Sequence, residues 1–142
     1  AIASDTALQQ LLAVRQRRQR TTVLTPHPLE AARLLGSTSA AVQGDRLAAA
    51  HQLSQRFACT VVLKGSGTVI AAPDELAAIN ATGNARLATA GTGDVLAGMI
   101  GAELAGTQSA FAAACRAVHR HGRLADQWPP GSPLTASVLA RL

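Results

Sequence analysis

Apolar and polar positions along the chain alternate between helical and strand-like spacing. Over 6–17, Leu8, Leu11 and Leu12 fall on one helical stripe, with Ser4 or Asp5 placed to cap it. Thr21-Thr22-Val23-Leu24 reads as a short strand, stopped by Pro26 and Pro28. A helix is predicted to open at Pro28 and run to Leu35, where Gly36 can end it in a left-handed conformation. A longer helix is expected over 40–57. Thr60-Val61-Val62-Leu63 is a β-branched run of the kind buried in a parallel sheet, followed by the tight turn Gly65-Ser66-Gly67 and a second strand over 68–71. Past Pro73-Asp74, a short extended piece (76–79) leads into a polar loop (80–84). Helices are predicted over 91–104, with small residues at Ala97, Gly98, Gly101 and Ala102, and over 109–126. Trp128-Pro129-Pro130-Gly131 breaks the second, and Thr135 starts a final short one. Strands alternating with helices predict an α/β fold with a mainly parallel sheet. No internal repeat or low-complexity tract is visible.

The 142 residues, 48% of them hydrophobic, are enough for one modest domain with its own core, expected to span 1–142. A formal charge of +5 would point to nucleic acid if the charge were clustered, but only 15% of residues are charged. The one dense basic run, Arg15-Gln16-Arg17-Arg18-Gln19-Arg20, precedes a strand as a solvated connector would. Three aromatics, Phe57, Phe111 and Trp128, give no platform for stacking bases, so no nucleic-acid partner is expected. Cys59 and Cys115 lack pairing or metal-ligand spacing and read as buried small hydrophobes of a reducing compartment. His119 and His121 read as exposed residues on a helix rather than metal ligands. The most apolar stretch, Val95 to Ala102, falls short of the roughly 20 residues a membrane span needs. The expectation is a soluble cytoplasmic protein with no membrane partner and no metal site built from its own side chains.

In open α/β sheets, ligands bind beyond the carboxyl ends of the strands, and three polar segments stand there. In Thr25-Pro26-His27-Pro28-Leu29-Glu30, the prolines stiffen the turn and bias His27 away from helical geometry; taken alone, a loop histidine is ordinary. Lys64-Gly65-Ser66-Gly67-Thr68 holds the only lysine beside twelve arginines. Its glycines allow backbone to approach an anion, although a hairpin turn with a solvated lysine accounts for the segment equally well. Gly91-Thr92-Gly93-Asp94 is the most specific: a Gly-Thr-Gly turn entering a helix presents amides to an oxyanion. Asp94 could be a simple helix cap. A carboxylate next to an anion site makes more sense, however, as the acceptor of a proton from an attacking hydroxyl. Neither the P-loop pattern nor the dinucleotide fingerprint is present.

Thr25-Pro26-His27-Pro28 with Glu30 and Arg33-Leu34, Val62-Leu63-Lys64-Gly65 with Thr68, and Asn80-Ala81-Thr82-Gly83-Asn84 running into Ala90-Gly91-Thr92-Gly93-Asp94-Val95-Leu96-Ala97-Gly98 occur in that order. Together they resemble the NAD(P)H-hydrate dehydratases, of the ribokinase-like superfamily and formerly grouped as carbohydrate kinases. The resemblance covers nearly the whole chain and implies the C-terminal half of a three-layer ribokinase-like catalytic domain. It implies phosphorylation of the hydroxyl of the S epimer of hydrated NADH or NADPH by ADP or ATP, then elimination of phosphate to restore the coenzyme. It also implies roles: Asp94 as catalytic base, His27 and Asp94 against the hydrated coenzyme, Lys64, Gly65, Ser66, Gly67, Thr68 and Gly93 on the nucleotide, and the amides of Gly91, Thr92, Gly93 and Asp94 as an anion hole. Magnesium is implied because phosphoryl transfer needs a cation on the phosphate oxygens.

Two positions depart from the family pattern. Only Asp5 stands where the family has paired aspartates, and Val138 stands where it often has aspartate. Half of such a sheet would expose apolar edges and faces, which predicts either a companion segment or a homo-oligomer. An Arg-rich, Ala-rich composition suits a bacterium, and bacterial relatives tend to use ADP. The alternatives are a ribokinase-like kinase of a small hydroxylated metabolite, such as a hydroxymethylpyrimidine or hydroxyethylthiazole, and a non-catalytic nucleotide-binding fragment.

Overall fold

The computed structural model describes residues 2–107 and 109–142. They form two compact units, Ala1–Ile79 and Asn80–Leu142.

The first unit begins with a 3-10 turn, Ile2–Ser4, and α1 (Thr6–Arg17), whose N-terminus is capped by Asp5 Oδ1 accepting from the amides of Ala7 and Leu8. Then follow β1 (Val23–Leu24), α2 (Pro28–Leu35), α3 (Ser39–Gly44), α4 (Arg46–Phe57), β2 (Thr60–Leu63), β3 (Val69–Ala71) and β4 (Ala78–Ile79). The strands lie side by side in chain order. β1 and β2 are parallel, joined by the helical crossover through α2 to α4, with Val23 opposite Thr60. β2–β3 and β3–β4 are antiparallel. The expected parallel arrangement therefore holds for β1–β2 only, and the sheet is mixed. A loop as short as Lys64–Thr68 can only turn the chain back on itself, since a parallel return needs a crossover of a dozen residues or more. β2 is buried along its whole length, as its β-branched run predicts. Leu24, Val61, Leu63 and Val69 of the sheet meet Ala31, Leu34, Val42, Ala50, Leu53 and Phe57 of the helices in one core.

Three expectations change in this unit. The single helix over 40–57 is two helices. Asp45 leaves helical geometry at φ −144° and caps α4 by accepting from the Ala48 amide at 2.9 Å, so the chain turns between α3 and α4. The stripe on α1 is narrower than its leucines suggest, with Leu12 buried and Leu11 54% exposed. The strand expected from Thr21 starts only at Val23. Arg15 takes the preceding polar groups, donating from Nε to Thr22 Oγ1 and from Nη2 to the Thr21 carbonyl, which ties this stretch to α1 rather than to the sheet.

The second unit has a 3-10 turn, Ala85–Leu87, then α5 (Thr92–Ala105), α6 (Ala110–Asp126) and α7 (Ala136–Leu139). Ser109 and Thr135 cap α6 and α7 through their hydroxyls. α6 buries Ala113, Ala114, Ala117, Val118, His121, Gly122 and Ala125, a stripe of mostly small residues at helical spacing that lets α5 approach closely. His121 lies on that stripe and is 7% exposed, which corrects the expectation of a solvent-facing residue; His119 does face solvent. A smaller core joins Ala125, Leu134 and Leu139 with Val95, Leu124 and Trp128. Cys59, in the first unit, is buried, and burial pushes its thiol up to about 11, whereas Cys115 is half-buried. Among the described residues no helix is long and apolar enough to cross a membrane.

Candidate functional site

In the first unit, the parallel pairing of β1 and β2 brings their carboxyl ends to the same edge, and the ladder continues one step beyond them. The Lys64 amide donates to the Pro26 carbonyl at 2.9 Å, so the loops carrying His27 and Lys64 lie against each other. His27 is the N-cap of α2. Its Nδ1 accepts from the Glu30 amide at 3.3 Å, and Glu30 Oε2 accepts from the His27 amide at 2.8 Å, which closes a capping box. Because Nδ1 is an acceptor here, the neutral ring carries its proton on Nε2, 3.5 Å from Glu30 Oε2. The imidazole is half-exposed and presents an N–H donor, held in place by a helix start built around Pro28.

Beyond β2, Gly65, Ser66 and Gly67 are exposed and Lys64 and Thr68 half-buried. Gly65 has φ +148° and Gly67 φ +63°, conformations that a side chain would strain. The Thr68 hydroxyl donates back to the Gly65 carbonyl at 2.9 Å and tightens the loop. Arg46, the first residue of α4, reaches it from below, donating from Nη2 to the Leu63 carbonyl at 3.1 Å and the Gly67 carbonyl at 3.4 Å. Sequence reasoning missed this residue because it read α3 and α4 as one helix. Gly44-Asp45, a helix stop followed by a cap, was the available signal.

In the second unit, Gly91 precedes α5 at φ +85°, and a Cβ there would stand 2.9 Å from the Ala136 Cβ, so only glycine fits. No side chain caps the helix. The Thr92 amide is drawn back to the Thr89 carbonyl at 3.3 Å and the Asp94 amide to the Gly91 carbonyl at 3.1 Å. The amides of Gly91 and Gly93 make no hydrogen bond among the described residues and are the ones left for an anion at this helix start. Thr92 is buried, with its hydroxyl 2.6 Å from the Leu87 carbonyl and 2.8 Å from that of Thr89, so its side chain holds the turn together from within. Asp94 is exposed in the first turn, and its carboxylate has no partner among the described residues.

Two neighbours on α6 fix the approach to this turn. His121 Nε2 donates to the Thr92 carbonyl at 3.0 Å. Burial lowers the His121 pKa, against a smaller raising effect of that bond. At Gly122 a Cβ would stand 2.7 Å from the carbonyl carbon of Thr82, so the segment Asn80 to Asn84 lies directly on the helix. Asp126 completes the clamp, accepting from the Gly83 amide at 2.8 Å and from Asn84 Nδ2 at 2.9 Å. None of these residues was singled out as a site residue from sequence. A glycine in the middle of a helix was the signal, since it costs about 1 kcal/mol unless something must come close.

The candidates thus assemble in two groups, each within its own unit: His27 with Lys64, Gly65, Ser66, Gly67 and Thr68, and Gly91, Thr92 and Gly93 with Asp94. Among the described residues no three His, Cys, Asp or Glu side chains are grouped to hold a metal ion.

Comparison with known proteins matches residues 3–140 to the family model described as NAD(P)H-hydrate dehydratase. The chain is 51% identical over 118 residues to the ADP-dependent (S)-NAD(P)H-hydrate dehydratase of Neisseria meningitidis serogroup B, covering 83% of this chain and 40% of that protein. It is 50% identical over 117 residues to the bifunctional NAD(P)H-hydrate repair enzyme Nnr of Escherichia coli K12, covering 82% of this chain and 22% of that one. The chain therefore spans well under half the length of these relatives. A crystal structure of the Bacillus subtilis ADP/ATP-dependent NAD(P)H-hydrate dehydratase, co-crystallised with ATP and magnesium, superposes with a TM-score of 0.77 at 36% identity, covering 86% of this chain and 45% of that one. A ribokinase-like protein of Enterococcus faecalis, at 24% identity and a TM-score of 0.73, shares the fold. With a family model matching all but its extreme ends, and with an α/β fold common to these structures, the chain belongs to the NAD(P)H-hydrate dehydratase family.

Proposed function

We propose that this chain carries the nucleotide-binding and proton-accepting part of an ADP- or ATP-dependent dehydratase of the S epimer of hydrated NADH or NADPH. Asp94 carries the reading. It is an exposed carboxylate without a partner among the described residues, in the first turn of a helix whose start has no capping side chain and has free amides at Gly91 and Gly93. A cap would be bonded to those amides. A base must be free, and must stand next to the place where a phosphoryl group is held.

In this reading the Lys64–Thr68 loop receives the nucleotide, with Lys64 giving a point charge to its phosphates and the glycines giving close approach. Gly93 and the positive end of α5 stabilise the phosphoryl group in transit. The coenzyme hydroxyl oxygen bonds to phosphorus, the bond from phosphorus to the bridging oxygen of the nucleotide breaks, and the hydroxyl proton goes to Asp94. The C–O bond to phosphate then breaks, the departing phosphate taking the proton lost from the adjacent carbon, which restores the ring double bond. His27, a donor through Nε2, orients the hydrated coenzyme. Magnesium, in this reading, would be carried on the nucleotide phosphates, and no step here runs through it.

The setting proposed is cytoplasmic, with another segment or a second copy against α5. Beyond Asp94 that helix is mostly apolar, yet Ala97, Gly98, Gly101 and Ala102 are exposed on it.

The test is recovery of NADPH absorbance from hydrated NADPH with magnesium and either ADP or ATP, in the parent chain and in Asp94→Asn. Recovery in the parent and a fall of about 10²- to 10⁴-fold in the variant, with nucleotide still bound, is the expected result. Nucleotide binding without recovery from either donor would reduce the chain to a binding segment. Phosphorylation of a hydroxymethylpyrimidine or hydroxyethylthiazole instead would make it a small-metabolite kinase.

A further inference from the structure

Arg46 occupies a position that its local surroundings disfavour. A cation in the first turn of α4 faces the positive end of the helix dipole, which disfavours it there. Burial lowers its pKa. Its acceptors are all neutral: Gln43 Oε1 at 2.7 Å from Nη1, and the Leu63 and Gly67 carbonyls on Nη2. Its Nε is buried without a hydrogen-bond partner, and among the described residues no carboxylate lies within ion-pair distance. The adjacent Asp45 is engaged elsewhere, on the Ala48 amide. What the side chain reaches is the turn between β2 and β3. It bonds a carbonyl on each side of Gly65-Ser66, and it lies so close to Gly65 that a Cβ there would stand 2.7 Å from Nη1.

We infer that Arg46 is a positioning residue for nucleotide binding: it braces the Lys64–Thr68 turn from below and leaves an uncompensated positive charge beside it for the phosphates of a nucleoside di- or triphosphate. This rests on the reading of that turn as the nucleotide loop. The two parts of the role are separable. Nη2 bonds both carbonyls and Nη1 holds Gln43, a planar arrangement that lysine cannot reproduce, while lysine keeps the charge.

The experiment is calorimetric titration of ADP and of adenosine into the parent chain, Arg46→Met, Arg46→Lys and Gln43→Leu. In Arg46→Met the ADP Kd should rise about tenfold or more, and that of adenosine less than about threefold. Arg46→Lys should recover part of the ADP affinity, and Gln43→Leu, which removes only the exposed Nη1 anchor, should lose about two- to fivefold. A merely structural role would weaken both ligands alike and leave lysine no better than methionine; that result overturns the inference, as does ADP affinity in Arg46→Met equal to the parent's. If Arg46→Met fails to fold, unchanged ADP affinity in Gln43→Leu overturns it instead. A folded parent that binds no ADP overturns the nucleotide-loop reading itself, and this inference with it.

Discussion

His121, on α6, holds the carbonyl of Thr92, the first residue of α5, at 3.0 Å from inside the protein, while Thr92 turns its own hydroxyl back on Leu87 and Thr89. The turn that presents Gly93 and Asp94 is thereby fixed from both sides by groups that never face a ligand. Since a carbonyl only accepts, the bond requires an N–H on Nε2, and the buried ring is neutral when its other nitrogen is bare.

This makes folding sensitive to acid. The folded pKa of His121 lies below its unfolded value near 6.5, chiefly through burial, so the unfolded chain binds the extra proton more readily. Stability should be at its full value above about pH 6.5 and fall as pH drops from there through the folded pKa. Urea unfolding between about pH 5 and 8 checks this. His121→Gln keeps a donor without a titrating group and should lose part of the acid limb. His121→Phe leaves the Thr92 carbonyl unsatisfied and should cost about 1–3 kcal/mol at neutral pH.

Gly122→Ala sets two effects against each other. Alanine improves helix propensity by about 1 kcal/mol. The new methyl would meet the Thr82 backbone, which is tethered through its carbonyl to Asn80 Nδ2, and overpacking of this kind costs about 1–3 kcal/mol. Packing should win, and a lowered urea midpoint without a change in slope is the expected observation.

His27→Asn separates architecture from chemistry. Asparagine is among the best N-cap residues, so thermal unfolding should show α2 no weaker, within about 0.5 kcal/mol. The Nε2 donor is lost, and affinity for hydrated NADPH, read by competition binding, should fall about tenfold. Loss of stability with affinity intact would make the histidine a cap only.

Much of the fold follows from local chemistry that a sequence displays. Pro28 and Gly36 bracket α2, the glycines after Leu63 announce the hairpin, and Thr135 starts α7. Two of the misreadings came where the outcome depends on which face meets a partner. Leu11 and Leu12 look alike as letters, yet only Leu12 points at the core. His121 belongs to a stripe of Ala113, Ala114, Ala117, Val118 and Ala125 at helical spacing, which could have placed it inside. The site loops were legible as motifs because glycine, proline and a lone lysine at strand ends have few other uses. Their supports Arg46, His121 and Asp126 were not, since each acts through a bond to a backbone distant in sequence.

The pair His121-Gly122 also bears on how this chain can vary. Adjacent residues on α6 serve two different segments, so the helix is read at a fixed angular setting. One residue inserted in α6 ahead of the pair would rotate both by about 100°, swinging the imidazole away from Thr92 and a side chain onto Thr82. Length changes in relatives should therefore be absent from this stretch and gather instead around Leu76, which is 93% exposed between β3 and β4.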